Sequence, residues 1–328
     1  MTKRALITGI SGQDGSYLAD FLLGKGYEVH GIVRPERLHN RAEVIQNIAG
    51  IEGKVALHAG TLENPLSLSH AIRSIRPDEC YHFAGPSFVD VSFEEEAAIL
   101  ATVVSGTHSL LAAIKEMAPE CRFYMAGSSE MIGEPDRAPQ NETMPFKPRS
   151  IYGLAKLASY HTTHYYRQRY ELFACTGIMY NHESPRRSPK FLPRKVSRSA
   201  ARIKLGLDNS VALGNTAARR DWGYAPEYVE AMWSMLQTDT PRDFVIATGV
   251  THTVAELLDV AFSRVGLSYQ DYVVTDERYF RPTEEVELRG DIAAIQEQLG
   301  WRPEKAFSDI ITEMVDADLE LLSASLGS

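Results

Sequence analysis

Short apolar runs alternate along the chain with longer segments whose apolar positions recur every three or four residues. The runs Arg4–Thr8, Glu28–Val33, Val55–His58, Glu79–Phe83, Arg122–Ala126 and Leu172–Met179 predict strands. Gly12–Lys25, Ser67–Ile75, Ala97–Met117 and Tyr152–Arg169 predict helices, the first with Tyr17, Leu18, Phe21 and Leu22 on one face. Strands that alternate with helices imply parallel pairing through right-handed crossovers. The expected fold is α/β, a doubly wound parallel sheet of Rossmann-like type. Strands rich in Val, Ile, Leu and Phe suit a sheet covered on both faces.

The rhythm breaks after residue 180. Residues 181–195 hold three prolines and five basic side chains, and the helices that follow, Tyr228–Gln237 and Val254–Val265, are short. We therefore expect a Rossmann domain over 1–180 and a smaller mixed α/β C-terminal substrate domain over 181–328, with segments near 221–250 able to rejoin the first.

Composition narrows the function classes. With 44% hydrophobic and 23% charged residues the chain can bury a core and is not expected to be disordered. No membrane span and no signal peptide are read, so a cytoplasmic location is expected. A net charge of −9, from 34 basic and 43 acidic residues, argues against nucleic-acid binding but leaves room for a local basic cluster that holds phosphate. Cys80, Cys121 and Cys175 lie in apolar runs without metal-ligand spacing, so they are read as reduced core residues and no metal is expected.

Candidate chemistry begins at Gly9-Ile10-Ser11-Gly12-Gln13-Asp14-Gly15, a G-x-x-G-x-x-G between a strand and a helix. Glycines there let the chain turn tightly and approach a pyrophosphate at the positive helix end. The second predicted strand ends in Arg34, a cation suited to a 2′-phosphate, which favours NADP; Glu36 nearby keeps NAD open. Tyr152 and Lys156 are four residues apart and share a helical face. An ammonium beside a phenol lowers its pKa and lets it act as a base near neutral pH.

With the glycine turn upstream and a strand before it, Tyr152-x-x-x-Lys156 resembles the extended short-chain dehydrogenase/reductase superfamily over nearly the whole chain. That resemblance implies a catalytic hydroxyl after the fifth strand, matched by Ser128 in Gly127-Ser128-Ser129-Glu130. The blocks Asn181-His182-Glu183-Ser184-Pro185-Arg186-Arg187, Arg194-Lys195, Arg219-Arg220-Asp221-Trp222-Gly223-Tyr224 and Arg281-Pro282-Thr283-Glu284 resemble the GDP-mannose 4,6-dehydratase family more narrowly. Lys and Arg in such blocks can clamp a diphosphate by charge-assisted hydrogen bonds.

The resemblance implies that Tyr152 takes the proton of the C4 hydroxyl, Lys156 tunes it, Ser128 holds the C4 oxygen, and Glu130 removes the C5 proton and assists loss of the C6 hydroxyl. C4 oxidation makes the C5 proton acidic enough to leave, water departs across C5–C6, and the hydride taken from C4 returns to C6 from NADP. It places Thr61, Leu62, Phe83, Ala84, Gly85, His182 and Arg187 with the glycine turn at the cofactor. Ser87, Ser129, Asn181, Lys195, Arg220, Arg281 and Glu284 would hold the GDP-sugar, in a homodimer or homotetramer paired through Ala97–Met117 and Tyr152–Arg169.

The sequence departs from the family at Pro35, Thr61, His82–Phe88, Ile132 and Ser188–Lys190, which exchanges polar wall contacts for apolar ones. A GDP-sugar reductase or epimerase, and a non-catalytic NADP-binding sensor, are the alternative readings.

Overall fold

The computed structural model describes residues 2–39, 46–86, 93–279 and 286–326. Ser87, Arg281 and Glu284 lie outside them. The first six strands are β1 (Arg4–Thr8), β2 (Glu28–Val33), β3 (Val55–Ala59), β4 (Glu79–His82), β5 (Arg122–Ala126) and β6 (Ala174–Met179). The chain then makes β7 (Asn181–Glu183), β8 (Val211–Leu213) and β9 (Arg219–Tyr224) before β10 (Phe244–Ile246); β11 (Thr251–Thr253) and β12 (Val273–Thr275) follow. The main sheet is parallel, in the order β10-β6-β5-β4-β1-β2-β3. Strand order reverses direction beside β1, so a crevice opens at the carboxyl ends of β1 and β4, where such sheets bind ligands.

The helices are α1 (Gln13–Gly24), α2 (Pro35–His39), α3 (Pro65–Ile75), α4 (Phe93–Met117), α5 (Ile151–Tyr170), α6 (Leu192–Lys204), α7 (Ala225–Met235), α8 (Val254–Arg264), α9 (Ala293–Leu299) and α10 (Phe307–Leu326). Helix α3 starts two residues before its expected position. The Asn64 side chain accepts from the N–H groups of Leu66 (3.1 Å) and Ser67 (3.2 Å), and Pro65 occupies the first helical position.

Both sheet faces are covered. Leu18 and Leu22 of α1 pack with Tyr228 and Met232 of α7 on one side. On the other, Leu68 and Ile72 of α3 meet Leu110, Leu111 and Ile114 of α4. Each buried Leu or Ile contributes roughly 1.5–3 kcal/mol. By length and composition alone, Glu96–Met117 of α4 could cross a membrane. Its apolar residues are partly accounted for by the fold, since Val103, Leu110, Leu111 and Ile114 are buried in the packing against α3 and α5.

Strand β10 reaches the sheet edge from beyond residue 180 because Asp243, just before it, is held in a fork. Arg167 of α5 donates to both Asp243 oxygens at 2.9 and 2.8 Å, and the Thr176 N–H of β6 donates at 2.7 Å. The remaining C-terminal elements bury their own cluster, including Val196, Trp222, Phe262 and Met314. Beneath it Arg194 of α6 meets Asp318 of α10 at 2.9 Å, with both side chains buried. Strand β7 pairs in parallel with β9, Asn181 opposite Trp222 and Glu183 opposite Tyr224. This brings the basic segment 181–187 back over α1. Cys80, Cys121 and Cys175 are free and buried, and burial pushes the Cys80 thiol up to about 12.

Candidate active site

A cavity of about 410 Å³ opens at the crevice between β1 and β4. Its floor is the glycine turn. Gly9 has φ +75°, which a side chain would strain, and a Cβ there would lie 3.0 Å from the Ala84 N. A Cβ on Gly15 would fall 2.7 Å from the Ile10 Cα, so only glycine lets α1 pack onto the turn. The Gly12 N–H closes the turn on the Gly9 carbonyl at 2.9 Å. No side chain caps α1, which leaves its first N–H groups for a bound anion.

Of the expected cofactor residues, Gly9, Ser11, Gly12, Gln13, Asp14, Gly15, Arg34, Thr61, Leu62, Phe83, Ala84, Gly85 and Arg187 line this cavity together. His182 stands behind the wall, bonded to Asp14 at 3.0 Å. A bare cradle that a Cβ would fill, free helix N–H groups and the Arg34 and Arg187 cations suit a dinucleotide with its diphosphate. Thr8, Glu63 and Thr102 also line the cavity and were missed. Thr8 shares the T-G start of the glycine motif, but Glu63 and Thr102 carry no signal in the sequence. Burial raises the Glu63 carboxyl, yet its own N–H, the Thr61 hydroxyl and Arg34 outweigh this and hold it below its usual value.

The residues expected to be catalytic come together at the end of β5. Ser128 accepts the Glu130 N–H at 3.2 Å, which fixes a tight turn there. Ser150 caps α5 by accepting the Gly153 N–H at 3.0 Å. Gly153 then packs against the backbone carbonyl of Glu130, where a Cβ would meet both its atoms. This close approach sets Tyr152 next to the Ser-Ser-Glu turn, with the Ser128 hydroxyl near enough to act on its phenol. Ser129 is buried in the turn, and its carbonyl accepts from Ile132 at 2.9 Å.

The electrostatics differ from the expectation. Burial pushes the Tyr152 phenol up to about 12 and the Glu130 charge adds to this, while the Ser128 hydroxyl and Arg187 oppose it. Burial pushes Lys156 down to about 8, with Asp14 opposing. Lys156 donates to the Ala126 carbonyl at 2.8 Å and lies 5.8 Å from the centre of the Tyr152 ring. The ammonium is thus turned to the backbone of β5, and the expected lowering of the phenol is absent.

His82 at the end of β4 is buried behind the cavity wall rather than in it. His82 Nδ1 is 2.8 Å from the Thr8 hydroxyl and its Nε2 is 3.2 Å from the Thr107 hydroxyl. Burial holds its pKa at about 3, so the ring is neutral. Phe83 through Pro86 form the apolar part.

At the cavity's edge, Arg187 lies 3.6 Å over the Phe191 ring and pairs with the buried Glu183 at 3.3 Å. Lys195 donates to the Ala212 carbonyl at 2.7 Å and lies 4.1 Å over the Tyr279 ring. Arg220, on β9, donates to the Arg219 carbonyl at 2.6 Å, and Asn181 is half-buried at the start of β7.

Glycine turn, switch-point cavity and a Ser-Tyr-Lys set after the fifth strand define an extended short-chain dehydrogenase/reductase. The family model described as GDP-mannose 4,6 dehydratase matches residues 6–314. The chain belongs to that family and is an enzyme of the dehydratase type. It is 47% identical to GDP-mannose 4,6 dehydratase 1 of Arabidopsis thaliana, over 97% of this chain and 90% of that one. Among solved structures it resembles the RMD protein of Pseudomonas aeruginosa complexed with NADPH, with TM-score 0.82 and 22% identity over 98% of this chain and 100% of that one. It is similar as well to the dTDP-glucose 4,6-dehydratase DesIV of Streptomyces venezuelae with NAD and TYD bound. There the TM-score is 0.84 and the identity 23%, over 98% of each chain. These two likenesses show the fold.

Proposed function

We propose that the protein dehydrates GDP-mannose to GDP-4-dehydro-6-deoxymannose with NADP as a cofactor that is restored each turnover. The observation that carries this reading is the juxtaposition of Ser128, Tyr152, Lys156 and Glu130 at the end of β5, with Ser128 and Glu130 both acting on the Tyr152 phenol. A nicotinamide bound in the cavity supplies reversible two-electron oxidation at the sugar.

The residues divide the remaining work. Ser128 and Tyr152 hold the C4 oxygen, and Tyr152 takes its proton. A phenol raised by burial is a poor base until a positive charge enters beside it, so proton removal waits for the loaded site. Glu130 takes the C5 proton once C4 is a ketone and passes it to the departing C6 hydroxyl. The proton that Tyr152 took from the C4 hydroxyl balances the one that C5 regains when C6 receives the hydride. One water leaves, and the other atoms of the GDP-sugar stay with the product. Lys156 holds the Ala126 carbonyl and the ribose side of the cofactor. Arg34, after the end of β2, is a cation in the cavity that favours a 2′-phosphate, and a fold neighbour from Pseudomonas aeruginosa was solved with NADPH. Asn181, Lys195 and Arg220 are read as the side that receives the GDP. Leu100 on α4 and Leu154, Tyr165 and Tyr170 on α5 are exposed, which supports pairing of two copies through these helices.

Mass spectrometry of the product from GDP-mannose and a catalytic amount of NADP tests the reading. Loss of one water with no added reductant is expected. Stoichiometric NADPH consumption would point instead to a GDP-sugar reductase, and unaltered GDP-mannose would remove the proposal.

A further inference from the structure

A carboxylate in the first turn of a diphosphate-binding helix repels the ligand that the turn is built for. Asp14 is the second residue of α1 and lines the cavity. Burial pushes its carboxyl up, but His182, Arg187 and Gln13 outweigh this and hold it at about 2, so it is ionised at neutral pH.

His182 is bonded at both ring nitrogens. Nδ1 lies 2.8 Å from the Tyr180 carbonyl oxygen and Nε2 lies 3.0 Å from Asp14 Oδ1. A carbonyl has no proton to give, and neither has an ionised carboxylate. Each nitrogen must therefore carry its own hydrogen, and an imidazole with two N–H groups is a cation. The ring stacks on Tyr228 of α7 with centroids 4.6 Å apart, a face that favours a cation.

The same place is locked by neutral bonds. Gln13 donates to Asp14 at 3.1 Å and to the His182 carbonyl at 3.0 Å, while Ser184 donates to Gln13 at 2.8 Å. The charged and titratable groups around the pair are Glu183 and Arg187 on the chain segment of His182, Tyr228 of α7, Tyr124 of β5, and Tyr152 and Lys156 of α5. Burial and Arg187 work against a charged ring, but Asp14 and the Tyr180 carbonyl prevail, and the His182 pKa is raised.

We propose that His182 is the fixed counter-ion of Asp14, a positioning residue that neutralises the glycine turn from behind the cavity wall so that it accepts a dinucleotide diphosphate. The proposal rests on the dinucleotide reading above. It also makes affinity depend on pH: NADP binds best while His182 is charged and weakens as pH rises through its titration.

Calorimetric titration of the full chain with NADP from pH 6 to 9 tests this in four proteins. Wild type is expected to weaken several-fold with rising pH. His182→Gln is expected to bind about tenfold more weakly, with a flat pH profile. Asp14→Asn with His182→Gln is expected to recover to within about threefold of wild type, because no unneutralised carboxylate remains. Asp14→Asn alone is expected to bind at least as well as wild type. A lost hydrogen bond would not be repaired by removing its other end, so an unrescued double variant overturns the proposal alone. Failure of the wild-type chain to bind either NADP or NAD overturns the dinucleotide reading and this proposal with it. Nitrogen-15 shifts of the wild-type His182 ring need no variant: two protonated nitrogens at pH 7 are expected, and a neutral ring overturns the proposal.

Discussion

Gly153→Ala tests whether the approach of α5 to the Ser-Ser-Glu turn sets the catalytic geometry. A Cβ at this position would lie 3.1 Å from the Glu130 carbonyl carbon and well inside contact distance of its oxygen. Carbon and oxygen settle at roughly 3.3 Å or more, so the helix start and the turn must separate by about 1 Å. Both sides of the contact are backbone, and no flexible side chain can absorb the change. Tyr152 precedes the glycine, and Ser128 and Glu130 belong to the turn, so the separation acts on all three. Misplacement of about 1 Å in a reacting set can cost about 10²-fold. We expect kcat for water loss from GDP-mannose to fall by about that factor, while overpacking costs about 1–3 kcal/mol of stability. Gly24→Ala in α1 is the control, because a Cβ there meets nothing within 4 Å; its stability should change by less than about 1 kcal/mol. Steady-state turnover, with urea unfolding of both variants, separates the two effects. A Gly153→Ala enzyme with near-wild-type kcat would refute the claim that this contact holds the catalytic set.

The remaining predictions concern charge and protons. Tyr152→Phe should abolish C4 oxidation, read as absent product. Glu130→Gln should keep oxidation but stall elimination, read as lost deuterium uptake at C5 from heavy water. Lys156→Met should inactivate the enzyme yet stabilise it. The folded pKa of about 8 lies below the ordinary lysine value of 10.5, so the unfolded chain binds this proton more tightly. Stability therefore rises with pH between those two values and carries the full penalty, about 3 kcal/mol, below about pH 8. Urea unfolding at pH 7 should show most of it recovered. Asp318→Leu alone should cost about 3–5 kcal/mol, because it strands the buried Arg194. The paired Arg194→Met and Asp318→Leu change should cost far less, since burial dominates both partners and shifts each toward its neutral form.

Six of the seven main-sheet strands were legible from apolar runs, because strands covered on both faces must be apolar throughout. The seventh, β10, was not. Its three residues Phe244–Ile246 are too short to show a period, and Asp243 docks it through Arg167 and Thr176, distant in sequence. In the site, motif spacing gave the glycine turn and the Tyr152–Lys156 pair, while Ser128 came from the resemblance to the superfamily. It did not give the direction of Lys156, which the Ala126 carbonyl fixes, nor the pairing of His82 with Thr8 and Thr107.

By itself the sequence determined which residues can turn tightly, which helix faces are apolar, and which hydroxyls, carboxylates and amines are available for chemistry. These are properties of single residues and short spacings. Only the tertiary structure decided which of those groups carry charge where they stand. Asp14 is ionised and His182 is raised because two segments 168 residues apart meet at 3.0 Å. Tyr152 is raised and Lys156 lowered because both are buried. Ionisation depends on desolvation and on neighbours in space, and neither is written in the local order of residues.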